Sequence, residues 1–349
     1  MTPARDELQF GRSDLDAAVA KGILEKSVAD SLVDFLIQGQ KEAGGDPDEE
    51  RLRLITGFND IFVTIGIALF LGALRYLLGE YGGIGVAVAA WGLAEVFTKR
   101  KRMALPSIVL LVIFVISSAG VAQTVFAPTH SASFFFDFNR LPGLPFGLVA
   151  VAASVLHWLR FRVPITIAAF AAGLAIVAVA VIETLKSGFV LDNPSLVFIP
   201  IGLVIFATAM KFDMSDRNRV TQRTDIAFWL HLLAAPLIVH SAVHPLLSES
   251  VLSTGTAMTI ISLFAVMSLI ALAVDRRALL VSSLLYLGYA SSQILTWSGI
   301  QTESVGLAVL IVGGTVLALS VAWQPMRRAV LHILPQTLRD LVPPATKHA

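Results

Sequence analysis

Along most of the chain the apolar positions neither alternate nor form a narrow helical stripe. They run together. From residue 56 onward, hydrophobic stretches of about 18–22 residues recur, the length a helix needs to cross a hydrocarbon core. Ten spans are predicted, at roughly 58–78, 81–98, 105–126, 143–159, 164–185, 194–210, 225–246, 254–274, 278–297 and 303–323. Pro106, Pro164 and Pro194 each fall near the start of a run, where a missing N–H costs nothing. The predicted fold class is therefore all-α, a polytopic transmembrane helical bundle with its transmembrane domain over 56–324.

Before the first span the pattern changes to a helical period. Leu15, Val19, Ile23, Leu24, Val28, Leu32, Phe35 and Leu36 form one apolar face across two short helices. Ser13 and Ser27 read as N-caps, and Lys21-Gly22 as the break between the helices. Gly44-Gly45-Asp46-Pro47 closes the second helix. Residues 1–55 are thus expected to be a soluble helical hairpin and linker, too small for a large core of its own. The expectation is that it docks on a protein partner, a second copy or the membrane domain.

Charge sets the expected orientation. The loops after spans two, four, six and eight hold Lys99-Arg100-Lys101-Arg102, then Arg160 and Arg162, then Lys211, Arg217, Arg219 and Arg223, then Arg276-Arg277. The intervening loops hold few cations, so both termini are expected on the cytoplasmic side of a bacterial inner membrane. The basic loops recur at intervals of roughly fifty to sixty residues, which suggests a repeated helical hairpin. Residues 325–349 read as a broken amphipathic helix on the cytoplasmic leaflet, with Pro335 interrupting it and Arg327, Arg328 and Arg339 facing anionic lipid.

Composition narrows the classes further. The chain is 56% hydrophobic and 15% charged, with net charge +1, so the bilayer is the expected partner and nucleic acid is not. With no cysteine there are no disulfides, thiolate metal sites or cysteine nucleophiles. No Walker lysine motif, dinucleotide fingerprint or HExxH occurs, no cofactor is implied, and the chain is not expected to be an enzyme.

Candidate chemistry concentrates in span seven, Arg223 to Pro245, which carries three histidines and a central proline. At 100° per residue, Trp229, Pro236 and His240 share a stripe, His231 faces the other way, and His244 lies at the edge. His240 and His244 are four apart, a spacing able to present two imidazoles to one metal, although Pro245 disfavours helical geometry at His244. Span nine carries its own stripe of Ser282, Tyr286, Tyr289, Gln293 and Thr296. If the two stripes meet, Trp229, Pro236, His240, Tyr286, Tyr289 and Gln293 would line a substrate-binding polar cavity. Glu95 with Lys99, and Glu183 with Lys186, read as ion pairs at helix ends. The outer loop with His130 and Phe134, Phe135, Phe136 and Phe138 reads as an aromatic interfacial anchor or a lid.

The hairpin SDLDAAVAKGILEKSVADSLVDFL, the spans VTIGIALFLGALRYLLG and GIGVAVAAWGLAEVFTKRKR, and the closing WQPMRR…LP together resemble the bacterial inner-membrane proteins of the domain-of-unknown-function 2157 group. That resemblance implies membrane location and topology and carries no agreed activity. Two function classes stand ahead of an intramembrane enzyme. One is a transporter or permease with its cavity between spans seven and nine. The other is a non-catalytic membrane scaffold or envelope accessory protein acting through the N-terminal hairpin.

Overall fold

A computed structural model of the protein describes residues 15, 18–33, 58–126, 143–216, 219, 221–247, 254–297, 304–339 and 341–343. The part up to Arg51 and the part Leu52–Ala345 form separate units. In the first, a helix ends at residue 20, a turn occupies 21–24, and a second helix covers 26–33. Gly22 adopts φ +65°, and Ile23 N–H donates to the Ala18 carbonyl at 3.0 Å, the wrap-around bond of a glycine-terminated helix. The break therefore falls at Lys21-Gly22 as the sequence suggests. The second helix starts two residues earlier than a Ser27 N-cap would place it, leaving Ser27 inside its first turn. Ile23 and Val28 stand exposed.

The second unit is all helix among its described residues. Its long helices are α1 (Phe58–Leu77), α2 (Gly82–Ala94), α3 (Ala104–Phe126), α4 (Leu144–Phe161) and α5 (Ile165–Leu185), followed by α6 (Pro194–Ser215), α7 (Gln222–Val243), α8 (Thr254–Val274), α9 (Leu280–Trp297) and α10 (Ser304–Ile333). Among the described residues nine helices are long and apolar enough to cross a membrane. The expected second span is the short α2, prolonged by a π-helical turn over Glu95–Arg100. The protein is a multi-pass membrane protein. The His130 and phenylalanine loop falls outside the described residues, as does most of the N-terminal segment.

The four basic turns share one backbone device. Arg102, Arg162, Arg219 and Asp275 all take left-handed φ, between +53° and +60°. A non-glycine residue there costs on the order of 1–2 kcal/mol. The conformation turns the chain sharply at the end of an even-numbered helix, and at Arg162 the backbone N–H caps the Trp158 carbonyl. An arginine also complements the negative end of the helix it closes. The result is four tight hairpins, α2–α3, α4–α5, α6–α7 and α8–α9.

Packing follows chain order. Ile67, Leu71, Val86, Ala90 and Leu110 join α1 to the first hairpin, and Leu111, Val115, Phe146 and Ala150 join α3 to α4. Ala168, Ile205, Ile226 and Leu230 then gather α5, α6 and α7. Finally α7 contacts the last hairpin and α10 through Ala235, Leu272, Leu280 and Trp323 at one height, and Val239, Ile260 and Ala290 at another. Half of the membrane window of α7 is buried, against 17% for α1 and 11% for α10. The chain folds around α7.

Where helices touch most closely, glycine sets the distance. A Cβ on Gly147 would lie 2.8 Å from Val177, and one on Gly173 3.0 Å from the Val151 backbone nitrogen, both across the α4–α5 seam. Gly92 and Gly313 have open space instead. Gly173→Leu is expected to destabilise the bundle by about 1–3 kcal/mol through overpacking. The detergent-solubilised variant should melt earlier than wild type, while Gly313→Leu should melt with it.

Candidate functional site

The structure joins some of the sequence-derived site residues directly and leaves others on separate faces. His240 Nδ1 on α7 hydrogen-bonds the Tyr286 hydroxyl on α9, so the two stripes do meet. They meet as a contact. Pro236 sits on the exposed side of α7, which runs through it without a break in helical assignment. Trp229 is half-buried against Phe228 and the α5–α6–α7 cluster. Tyr289 is 42% exposed and lines a groove between α9 and α10. Gln293 is half-buried two turns beyond Tyr286. The α-helix ends at Val243, and His244 opens a 3-10 turn over His244–Leu247, so the proposed metal pair does not continue one α-helical face. Among the described residues searched, no group of three histidines or carboxylates could hold a metal ion.

The densest polar chemistry lies at the other end of α7, where the α6–α7 and α8–α9 turns meet α10. Asp213, in the last turn of α6, is 2% exposed. Its carboxylate accepts from Arg276 Nη2, and from Arg276 Nε at 3.3 Å. Its Oδ2 lies 2.9 Å from Nε2 of His231. Since that nitrogen faces a carboxylate, it carries the ring proton. Nδ1 of His231 is buried with no hydrogen-bond partner, and the Phe206 ring stands edge-on at 5.1 Å. Arg276, 1% exposed, also donates to the Thr224 carbonyl at 3.1 Å, crossing from the α8–α9 turn to the first turn of α7.

Two further carboxylates extend the cluster. Asp216 accepts from the Thr221 N–H at 2.8 Å and from the hydroxyls of Thr221 and Thr224 at 2.6 and 3.0 Å, fixing a negative charge at the positive end of α7. Asp275 pairs with Arg219 Nη1 at 2.8 Å and accepts from Trp323 Nε1 at 2.7 Å. Arg327 approaches the same carboxylate at 3.6 Å and donates to the Pro343 carbonyl at 2.6 Å, so residues 341–343 return to the cluster. The carboxylates Asp213, Asp216 and Asp275 face the cations Arg219, Arg276 and Arg327, with the half-buried Asp225 beside Arg276 and Asp216. Burying a charge costs several kcal/mol even after relaxation, and only partners this complete offset it.

Arg219 and Arg276, counted in the sequence as loop cations, and Arg327, expected to face anionic lipid, are all largely or wholly removed from solvent. The basic residue count could not say which cations fold inward. Acidic residues share these turns, in FDMSDR and VDRR, but they do not say which neighbouring arginine folds inward. His231, which faces away from the expected stripe, is the histidine that enters the cluster. Helix α10 runs through Pro325 to Ile333 before the break near Pro335.

Two end-of-helix pairs also differ from expectation. Glu95 pairs bidentately with Arg160 across α2 and α4, at 2.6 and 2.8 Å, instead of with Lys99 on its own helix. Glu183 accepts the Gly188 and Val190 N–H groups at 2.5 and 3.3 Å, capping the short helix Phe189–Asp192, while Lys186 lies over the Phe189 ring. A local backbone demand outweighed the sequence-adjacent cation. Another buried histidine, His157 on α4, bonds Thr166 Oγ1 at 3.2 Å and stacks near Phe161, Phe114 and Trp91.

No protein-family model, curated protein or solved structure matches the chain.

Removing one member of the buried cluster should cost far more than removing a matched pair. Asp213→Leu alone, or Arg276→Met alone, leaves a buried charge unpaired and is expected to cost about 3–5 kcal/mol. The double variant should recover much of that loss. Thermal melting of the purified proteins, arranged as a double-mutant cycle, checks the sign and size of the coupling.

Proposed function

We propose that this is a bacterial inner-membrane scaffold or accessory protein without catalytic activity, its basic side cytoplasmic, which engages a protein partner or a second copy through its N-terminal helices. The observation that carries this reading is the closure of the polar stripes. His240 and Tyr286 bond to each other across α7 and α9, while Pro236 and Tyr289 stand at exposed positions. Interhelical hydrogen bonds of this kind hold a membrane bundle together. Exposed Ile23 in the turn and Val28 on the second short helix support the partner surface. The helix–turn–helix ahead of the spans also supports membership of the domain-of-unknown-function 2157 group.

A permease is the second reading, and one observation favours it. The contact between α7 and the last hairpin has a polar layer at each end, Arg276–Thr224 at one and His240–Tyr286 at the other, with apolar packing between. Polar layers of that sort can open alternately while the apolar middle slides.

Cysteine accessibility separates the two, because the chain has no cysteine of its own. Tyr286→Cys and Gln293→Cys should resist a membrane-impermeant maleimide applied from either side. An Ile23→Cys control should react only in inside-out vesicles. Reaction of residue 286 or 293 from the aqueous phase would replace the scaffold with the permease.

A further inference from the structure

The cations that stay outside the ionic cluster are not spread evenly, and three of them gather around Glu95. That residue begins the π-helical turn that prolongs α2. Its carboxylate takes Nε and Nη2 of Arg160, in the last turn of α4, at 2.6 and 2.8 Å. The two side chains remain 29% and 44% exposed. The Trp91 and Phe161 rings join the same two helices at 5.0 Å, so the ends of α2 and α4 are tied together twice.

The π turn decides what else stands beside the pair. In it residues five apart, not four, lie over one another, as in the bond from the Lys101 N–H to the Val96 carbonyl at 2.9 Å. Arg100 is thereby carried round toward Glu95 while Lys99 stays alongside, and the charges of both act on the Glu95 carboxylate together with that of Arg160. Lys99 and Arg100 are themselves exposed, and among the described residues neither is within bonding distance of a carboxylate. Three cations share one carboxylate, and two positive charges are left over. At the α6–α7 and α8–α9 turns, by contrast, Arg219 and Arg276 are buried against Asp275 and Asp213. The negative ends of two helices offset only part of the excess.

The surroundings identify the missing anion. Arg160 closes a membrane-spanning helix, so the cations stand at the level of the lipid headgroups, where phosphate is the prevailing negative group. Toward the membrane interior, Val88 and Val96 on α2 and Leu156 and Leu159 on α4 are exposed, an apolar surface suited to the chains that such a phosphate carries. We propose that Lys99, Arg100 and Arg160, gathered around Glu95, bind the phosphate of an anionic bilayer phospholipid. Nε and Nη2 of Arg160 face the carboxylate, which leaves Nη1 for the lipid.

The test exploits the absence of cysteine. Val96→Cys, next to Glu95 and exposed, carries a fluorophore that brominated acyl chains quench, and the full chain is placed in vesicles of phosphatidylcholine and phosphatidylglycerol. Brominated phosphatidylglycerol should quench this probe with roughly tenfold preference over brominated phosphatidylcholine. The same probe at Val321→Cys, exposed near the same end of the bundle on α10, should show little preference. Lys99→Gln with Arg100→Gln should reduce the preference at residue 96 to about twofold. Lys101→Gln with Arg102→Gln removes as much charge from the same turn and should leave most of it. Equal losses in the two double variants would mean diffuse turn charge and overturn the proposal. So would equal preference at residues 96 and 321, or relief of quenching by inorganic phosphate at constant ionic strength, which would give the site to a soluble anion.

Discussion

A carboxylate at the end of a membrane helix cannot be left half-paired, and Asp213 is the clearest case here. It takes two nitrogens of Arg276 and one of His231, while Arg276 reaches on to the Thr224 carbonyl. Through these bonds one buried anion fixes the end of α6, the first turn of α7 and the α8–α9 turn. Asp275 repeats the logic for Arg219, Trp323 and Arg327. Apolar packing alone would let these helices slide, because lipid tails are as good a solvent for leucine as another helix is. The charges supply the registration that the hydrophobic surfaces do not.

The helix at the centre of this arrangement owes its place to having a different neighbour on each face. One side of α7 packs on α5 and α6 through Ile226 and Leu230, and the other on α8 and α9 through Val239 and Ala235. Its polar side chains are distributed accordingly. His231 belongs to the ionic end and His240 to the contact with Tyr286, so two histidines nine positions apart do unrelated work.

Much of the architecture was legible in the sequence because membrane insertion writes itself in long, local patterns. The runs of apolar residues, the proline starts near Pro106 and Pro194 and the break at Lys21-Gly22 are all one-dimensional signals, and each corresponds to an observed helix or turn. The encounter of His240 with Tyr286 was legible as a condition, since both stripes could be drawn but not their distance. The ionic cluster was not legible. Its members lie in three turns and a tail, and nothing local distinguishes a buried Arg276 from an exposed Arg277 beside it. Only the three-dimensional crossing of the hairpins does that. For the same reason Glu95 was assigned to the nearby Lys99 when its partner, Arg160, lies two helices away.

The chain-order packing has a consequence for how the protein is made. Each hairpin that leaves the insertion machinery finds its predecessor already in the bilayer, so α1 through α5 can settle before any later helix is inserted. The ionic end cannot. When α6 and α7 emerge, Asp213 and His231 are present but Arg276 is still to be synthesised, and Asp275 later waits for Trp323 and Arg327 in turn. The Arg327 bond to Pro343 comes last of all. An interrupted or truncated chain therefore carries uncompensated charge at its membrane end, while a finished one does not.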